Sequence, residues 1–232
     1  MKRLVALMAG IAMLFAISAP TFAQDYDAPA ADCNDCHAIT FKAGTLGLGL
    51  EYVKQIREKV NVKVGFNAFN YNYDSTQGGI DYDFDLNLAN GGVLFDFHPS
   101  QGSFRITAGL MYNGNDIDAT GKPTAAATYD IGGITYTSAQ VGTMTGKIDF
   151  DNFAGYLGIG TGNALKKSGT TFLFDLGVLF QGSPKVTLNA NGTLAANAAF
   201  MANLKTEEQQ LQNDIDDFKI YPVVSIGCGW RF

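Results

Sequence analysis

The closing stretch Val223-Val224-Ser225-Ile226-Gly227-Cys228-Gly229-Trp230-Arg231-Phe232 decides how the rest of the chain is read. Counting back from the end, every second residue is Phe232, Trp230, Cys228, Ile226 and Val224, and the interleaved set is Arg231, Gly229, Gly227, Ser225 and Val223. A strand points successive side chains to opposite faces, so one face here is apolar and aromatic while the other is small or polar.

The same grammar recurs upstream. Leu46, Leu48, Leu50 and Tyr52 alternate with Gly47, Gly49 and Glu51; Val60, Val62, Val64 and Phe66 alternate with Asn61, Lys63, Gly65 and Asn67. Ile80, Tyr82, Phe84, Leu86 and Leu88 alternate with Asp81, Asp83, Asp85 and Asn87. Phe104 to Tyr112 and Phe172 to Phe180 repeat the pattern, with Arg105, Thr107 and Asp175 among the polar members. Segments of about ten residues with alternating polarity are the signature of strands that meet lipid on one face.

Composition fits that reading. Charged residues are 16%, and the chain has 27 Gly, 17 Phe, 10 Tyr and one Trp. Lys2-Arg3, the apolar run Leu4 to Ala19 and the small residues of Thr21-Phe22-Ala23 predict a signal peptide over 1–23, cleaved before Gln24. The formal charge of −6 becomes −8 once Lys2 and Arg3 are removed, which argues against nucleic acid as a partner.

The predicted fold is all-β, an antiparallel transmembrane β-barrel of eight strands at about 44–53, 60–73, 79–89, 92–98, 103–113, 148–161, 170–181 and 219–232. Connections 114–147 and 182–218 are placed outside the cell, and the turns 99–102 and 162–169 in the periplasm. An alternative makes 79–98 one long strand bulged at Asn90-Gly91-Gly92, with Tyr129–Gly142 supplying a further strand or hairpin. A short helix is predicted in the second long loop, with Thr206-Glu207-Glu208-Gln209 as a capping box and Leu204, Leu211, Ile215 and Phe218 on one face. Asp214, Asp216 and Asp217 read as a solvated acidic end or a divalent-cation site.

With its terminal Phe232, Trp230 two residues earlier and the Leu46–Val64 hairpin, the chain resembles the small outer-membrane barrels of proteobacteria, OmpW-like proteins and OmpA-type barrel domains among them. The resemblance covers about residues 44–232. It implies an outer-membrane location, a filled or narrow lumen, and contact with lipid and lipopolysaccharide. It also implies recognition of the Phe232 strand by the barrel assembly machinery. It carries no catalytic constellation, and no enzyme activity is expected.

Three motifs could carry chemistry of their own. Gly158-Ile159-Gly160-Thr161-Gly162 lacks a following helix and the Lys-Ser/Thr pair of a nucleotide loop, and its glycines suit the inward face of a strand. Asp81, Asp83 and Asp85 form a row at period two, expected to face inward and to pair with Lys63 or Arg105. Cys33-Asn34-Asp35-Cys36-His37 matches C-x-x-C-H, the attachment sequence for c-type haem, in the segment 24–43 expected to lie in the periplasm. Two thiols at that spacing can bond one haem while the adjacent His37 ligates its iron, and His98 is the candidate for the second axial position. The alternatives are a Cys33–Cys36 disulfide, or a zinc site with His37.

The primary functional expectation is therefore an outer-membrane barrel with a structural, surface-interaction or small-solute role. The second is an electron-transfer barrel carrying haem at Cys33, Cys36, His37 and His98.

Overall fold

The computed structural model describes residues 36–124, 127–166 and 168–232. The predicted signal peptide, its cleavage site and Cys33 lie outside the described residues. In chain order the strands are β1 (His37–Gly44), β2 (Gly47–Arg57), β3 (Val60–Gln77), β4 (Ile80–Phe97), β5 (Arg105–Asn113), β6 (Asp116–Pro123), β7 (Thr128–Ile131) and β8 (Ile134–Thr137). Then come the one-turn helix α1 (Ser138–Val141), β9 (Met144–Asp149), β10 (Phe153–Thr161), β11 (Gly169–Phe180), β12 (Lys185–Ala190), the helix α2 (Ala198–Ile215) and β13 (Ile220–Arg231).

Eleven strands form one antiparallel sheet in the order β12-β9-β6-β4-β3-β2-β1-β13-β11-β10-β5, and β7 with β8 forms a separate hairpin. The eight-stranded barrel expected from the sequence is corrected by this order: the sheet has eleven strands and ends on an unclosed edge at β12. The branch point is β4. Its second half, Asn90–Phe97, pairs with β5. Its first half, Ile80–Asn87, pairs with β6, from which β9 and β12 follow outward. Pairing therefore runs from β4 through β3, β2, β1, β13, β11 and β10 to β5 and back to β4, while three strands lie outside that circuit.

Four further expectations change. The stretch read as two strands is one, Ile80–Phe97, paired without a register shift against β3, so Asn90-Gly91-Gly92 is no bulge. The sheet begins at His37 rather than 44, because β1 pairs with both β2 and β13. Loop 114–147 holds β6, β7, β8, α1 and the start of β9. The helix is 18 residues long rather than short. Its cap is Asn197, whose side chain accepts from the N–H groups of Ala199 and Phe200, whereas Thr206 lies mid-helix and donates its hydroxyl to Ala202 O at 3.0 Å.

Tight turns set the hairpins. Gly78-Gly79 joins β3 to β4 at φ 60° and 78°, and Gly132-Gly133 joins β7 to β8 at φ 60° and 79°. Two-residue loops that match strand twist need positive φ at both positions, which only glycine adopts freely. Around the circuit of eight strands, alternate side chains point outward and are exposed, among them Phe41, Leu48, Val64, Phe95, Leu110, Phe153, Leu157, Phe172, Leu176, Ile226 and Trp230. These Phe, Leu, Ile, Val and Trp side chains thus face away from the interior. Among the described residues no helix is long and apolar enough to cross a membrane.

Candidate functional site

The opposite parity fills the interior. Glu51 on β2, Lys63 on β3, Asp96 on β4, Arg105 on β5 and Asp175 on β11 are buried, and they meet at one level the side chain of Lys42 on β1, itself only 8% exposed. Lys42 Nζ lies 3.0 Å from a Glu51 carboxylate oxygen and 2.8 Å from Asp175. Lys63 Nζ lies 3.0 Å from Asp96, and Arg105 lies 2.5 Å from Asp175 and 3.7 Å from Asp96. Three cations therefore balance three carboxylates. Thr40 donates to Glu51 at 3.0 Å, Thr107 to Asp96 at 2.6 Å and Ser225 to Asp175 at 3.4 Å. Arg105 also donates to Thr161 O at 3.0 Å and to Gly162 O. Buried charge is tolerated when paired and hydrogen-bonded, and each member here has an opposite partner.

Other layers lie on either side. Towards the β3–β4 hairpin, Leu46, Leu94, Met111, Ala154, Tyr156, Leu179 and Val223 form an apolar cluster. Beyond it lie the buried amides Asn90, Asn113, Asn115 and Gln181. On the other side, Cys36, Ala38, Val53, Ala164 and Leu165 pack together. The space left among Lys42, Glu51, Lys63, Asp96, His98 and Arg105 amounts to about 10 Å³, room for about one water molecule. Glycines make this filling possible: a Cβ on Gly177 would lie 2.5 Å from the Tyr156 hydroxyl, and one on Gly160 would lie 2.6 Å from Asp175 Oδ1.

Sequence reasoning places some of these residues correctly. Gly158 and Gly160 lie in β10 at buried positions, as expected. Lys63 and Arg105 do pair inside, but with Asp96 and Asp175. The row Asp81, Asp83 and Asp85 faces outward, because unbroken parity along β4 puts it on the face of Val93 and Phe95, and Asp83 pairs with exposed Lys122 at 2.6 Å. That hydrogen bond and charge hold the Lys122 ammonium above its ordinary pKa. Lys42 escapes any reading that starts the sheet at 44. Glu51 and Asp175 are visible as polar members of their strands, and aligning strand levels is the signal that joins them.

The proposed haem ligands are not brought together. His37 shares the outward parity of Ile39 and Phe41, touches the Tyr52 hydroxyl through Nδ1 and stacks on Phe232 at 6.2 Å. His98 is buried on the inner side, its ring nitrogens 3.2 Å from Asn61 Nδ2 and 3.2 Å from Gly102 O. The two lie on opposite faces of the sheet, which is not the arrangement of two side chains flanking one iron. Cys36 is disulfide-bonded, and Cys228 is a free thiol. Asp216 is paired with Lys219 at 3.2 Å, and among the described residues no group of three His, Cys, Asp or Glu side chains is placed to hold a metal ion.

A second feature is a head built on β4. The first half of β4, with β9 and β12, presents apolar side chains to the β7–β8 hairpin and α2. Ile80, Tyr129, Ile131, Tyr136, Val141, Met144, Leu188, Phe200 and Leu204 are its core. Burial, with Tyr82 adding, pushes the Tyr129 phenol up to about 12. Helix α2 also closes the β12 edge: Val186 N–H donates to Gln212 Oε1 at 3.0 Å and Leu188 N–H to Glu208 Oε2 at 3.2 Å. Side chains one helical turn apart thus meet alternate residues of a strand.

No protein-family model and no curated protein matches the chain. Solved structures do. CarO2 of Acinetobacter baumannii aligns with a TM-score of 0.57 at 22% identity over 85% of this chain and 98% of that one. CarO of the same organism aligns at 0.53 and 20% identity over 88% and 98%. A major outer membrane protein from Thermus thermophilus aligns at 0.46 and 12% identity over 86% and 100%, too slight a likeness to carry weight. The first two show a shared fold.

Proposed function

We propose that this chain is a bacterial outer-membrane protein whose filled interior anchors a surface-interaction head, rather than a general diffusion channel. The observation that carries the reading is the outward array of exposed Phe, Leu, Ile and Trp side chains on eight strands around a buried polar interior. That inversion of the usual soluble pattern suits a hydrocarbon surrounding. The small space of about 10 Å³ among paired charges supports a filled interior rather than an open channel. Strands β3 and β4, at 18 residues each, reach about 60 Å, roughly twice the hydrocarbon thickness, so their hairpin end and the head would project from the membrane. Exposed Trp230 near the end of β13, and Phe232 just beyond it, are available to the assembly machinery that inserts such proteins, and lipopolysaccharide would surround the outward apolar side chains and the base of the head.

The test places a cysteine at Ser75, at the hairpin end of β3, in a Cys228→Ser background. A membrane-impermeant maleimide should label it in intact cells, and the purified protein should show no stepwise conductance in planar bilayers. Labelling only after lysis, or large open-channel steps, would sink the reading.

A further inference from the structure

The head sheet has two lateral edges, and they are treated differently. The β12 edge is closed by α2, with Gln212 Nε2 donating to Pro184 O at 2.7 Å in addition to the two N–H contacts. The β3 edge is open. Pairing of β3 with β2 ends at Ala68↔Leu48, and among the described residues Phe69–Gln77 pairs with β4 alone. An open edge invites another strand, and proteins blunt such edges with Lys, Pro or a covering element. This nine-residue stretch has no Lys, Arg or Pro and only one charge, Asp74.

Its two faces are chemically distinct. One carries Phe69, Tyr71 and Tyr73, exposed at 36, 46 and 40%. The other carries Asn70, Asn72, Asp74 and Thr76, and register puts Asp81, Asp83 and Asp85 of β4 on the same side. On β3 and β4 this face has no cation. The nearest lysine across the register, Lys122 on β6, is already engaged by Asp83.

We propose that the Phe69–Gln77 edge receives an extended polypeptide with alternating apolar and basic side chains, added to the head sheet as a further strand. Backbone hydrogen bonds to the open edge supply the register-independent part of the affinity. The apolar side chains of the added strand lie beside Phe69, Tyr71 and Tyr73, and its basic ones beside Asp74 and the β4 carboxylates. A second copy of the chain is disfavoured because it would bring acidic face against acidic face. The inference rests on the proposed function only in requiring the head to be outside the membrane in the cell.

The probe is a fluorescent synthetic peptide of alternating valine and lysine, titrated against the protein in phosphatidylcholine nanodiscs, with empty nanodiscs subtracted. Saturable binding is expected. It should weaken at least about ten-fold when the peptide backbone is N-methylated, when glutamate replaces lysine, and in Asp74→Lys/Asp85→Lys. Absence of saturable binding overturns the proposal. Equal binding of the N-methylated peptide also does so, because it signals adsorption of charge without strand addition. So does an unchanged affinity in the double variant. Each of these results leaves the membrane reading standing, which surface labelling at Ser75 decides separately.

Discussion

Arg105 on β5 reaches Asp175 on β11 at 2.5 Å across the buried interior, tying together two strands that do not pair with each other. β10 lies between them, and its Gly160 leaves the room through which the guanidinium passes: a Cβ there would lie 3.0 Å from Arg105 Cζ.

Breaking that contact from one side leaves a buried charge. Asp175→Ala should cost about 3–5 kcal/mol, and Arg105→Ala a similar amount. The double variant Asp175→Ala/Arg105→Ala should cost clearly less than the sum, because neither charge is stranded. Denaturant unfolding in detergent reads all three; strict additivity would mean the two residues act separately.

The interior filling makes a steric statement as well. Gly177→Ala sets a Cβ 2.5 Å from the Tyr156 hydroxyl and should destabilise by about 1–3 kcal/mol. Adding Tyr156→Leu should return part of that loss. If Gly177→Ala is neutral, Tyr156 does not occupy the space over β11.

Clamping of the β12 edge is local. Gln212→Ala with Glu208→Ala should speed hydrogen exchange at the Val186 and Leu188 amides, whose edge acceptors are those two side chains. Amides of β1 and β13 should be unaffected. Unchanged protection at Val186 and Leu188 would remove α2 from the role of edge cover.

Alkaline pH should loosen the head. The Tyr129 phenol has its pKa raised to about 12 by burial, above the ordinary value of 10.0. A phenol with a raised folded pKa releases its proton first in the unfolded chain, so its contribution is intact below pH 10 and is lost as pH rises towards 12. Tyr129→Phe should flatten that part of the profile. Head unfolding followed by tyrosinate absorbance checks both.

Much of this is legible in the sequence wherever strict alternation puts lipid-type residues on one side: β2, β5, β10, β11 and β13 read with the correct faces. The misreading of Ile80–Leu88 has a physical cause. Apolar residues at period two say that one face is buried or lipid-covered, without saying which, and here they turn towards the interior and the core of the head. Once Asn90-Gly91-Gly92 is a continuous strand, the parity of Asp96 fixes that of Phe84, and the Asp81–Asp85 row must face outward. Strands β6, β9 and β12 escape a sequence reading because Asp116–Pro123 and its partners are short and rich in Thr, Asp and Gly; pairing against β4 stabilises them, not propensity. The Cys33–His37 motif matches haem attachment by spacing alone, and spacing does not reveal that His37 and His98 emerge on opposite faces.

That motif has a direct chemical readout. The intact mass of protein from native membranes should rise by two hydrogens on reduction, with no haem absorbance before it. A covalent haem mass would restore the electron-transfer alternative and exclude the Cys36 disulfide.

The most direct test of the central claim is a spin-label scan along β11 in lipid vesicles, residue by residue from Thr170 to Phe180, in a Cys228→Ser background. Membrane embedding requires period-two accessibility, with lipid-dissolved oxygen reaching Phe172, Phe174, Leu176 and Val178 while water-soluble nickel chelate does not. Free access of the chelate to those four positions would contradict the account.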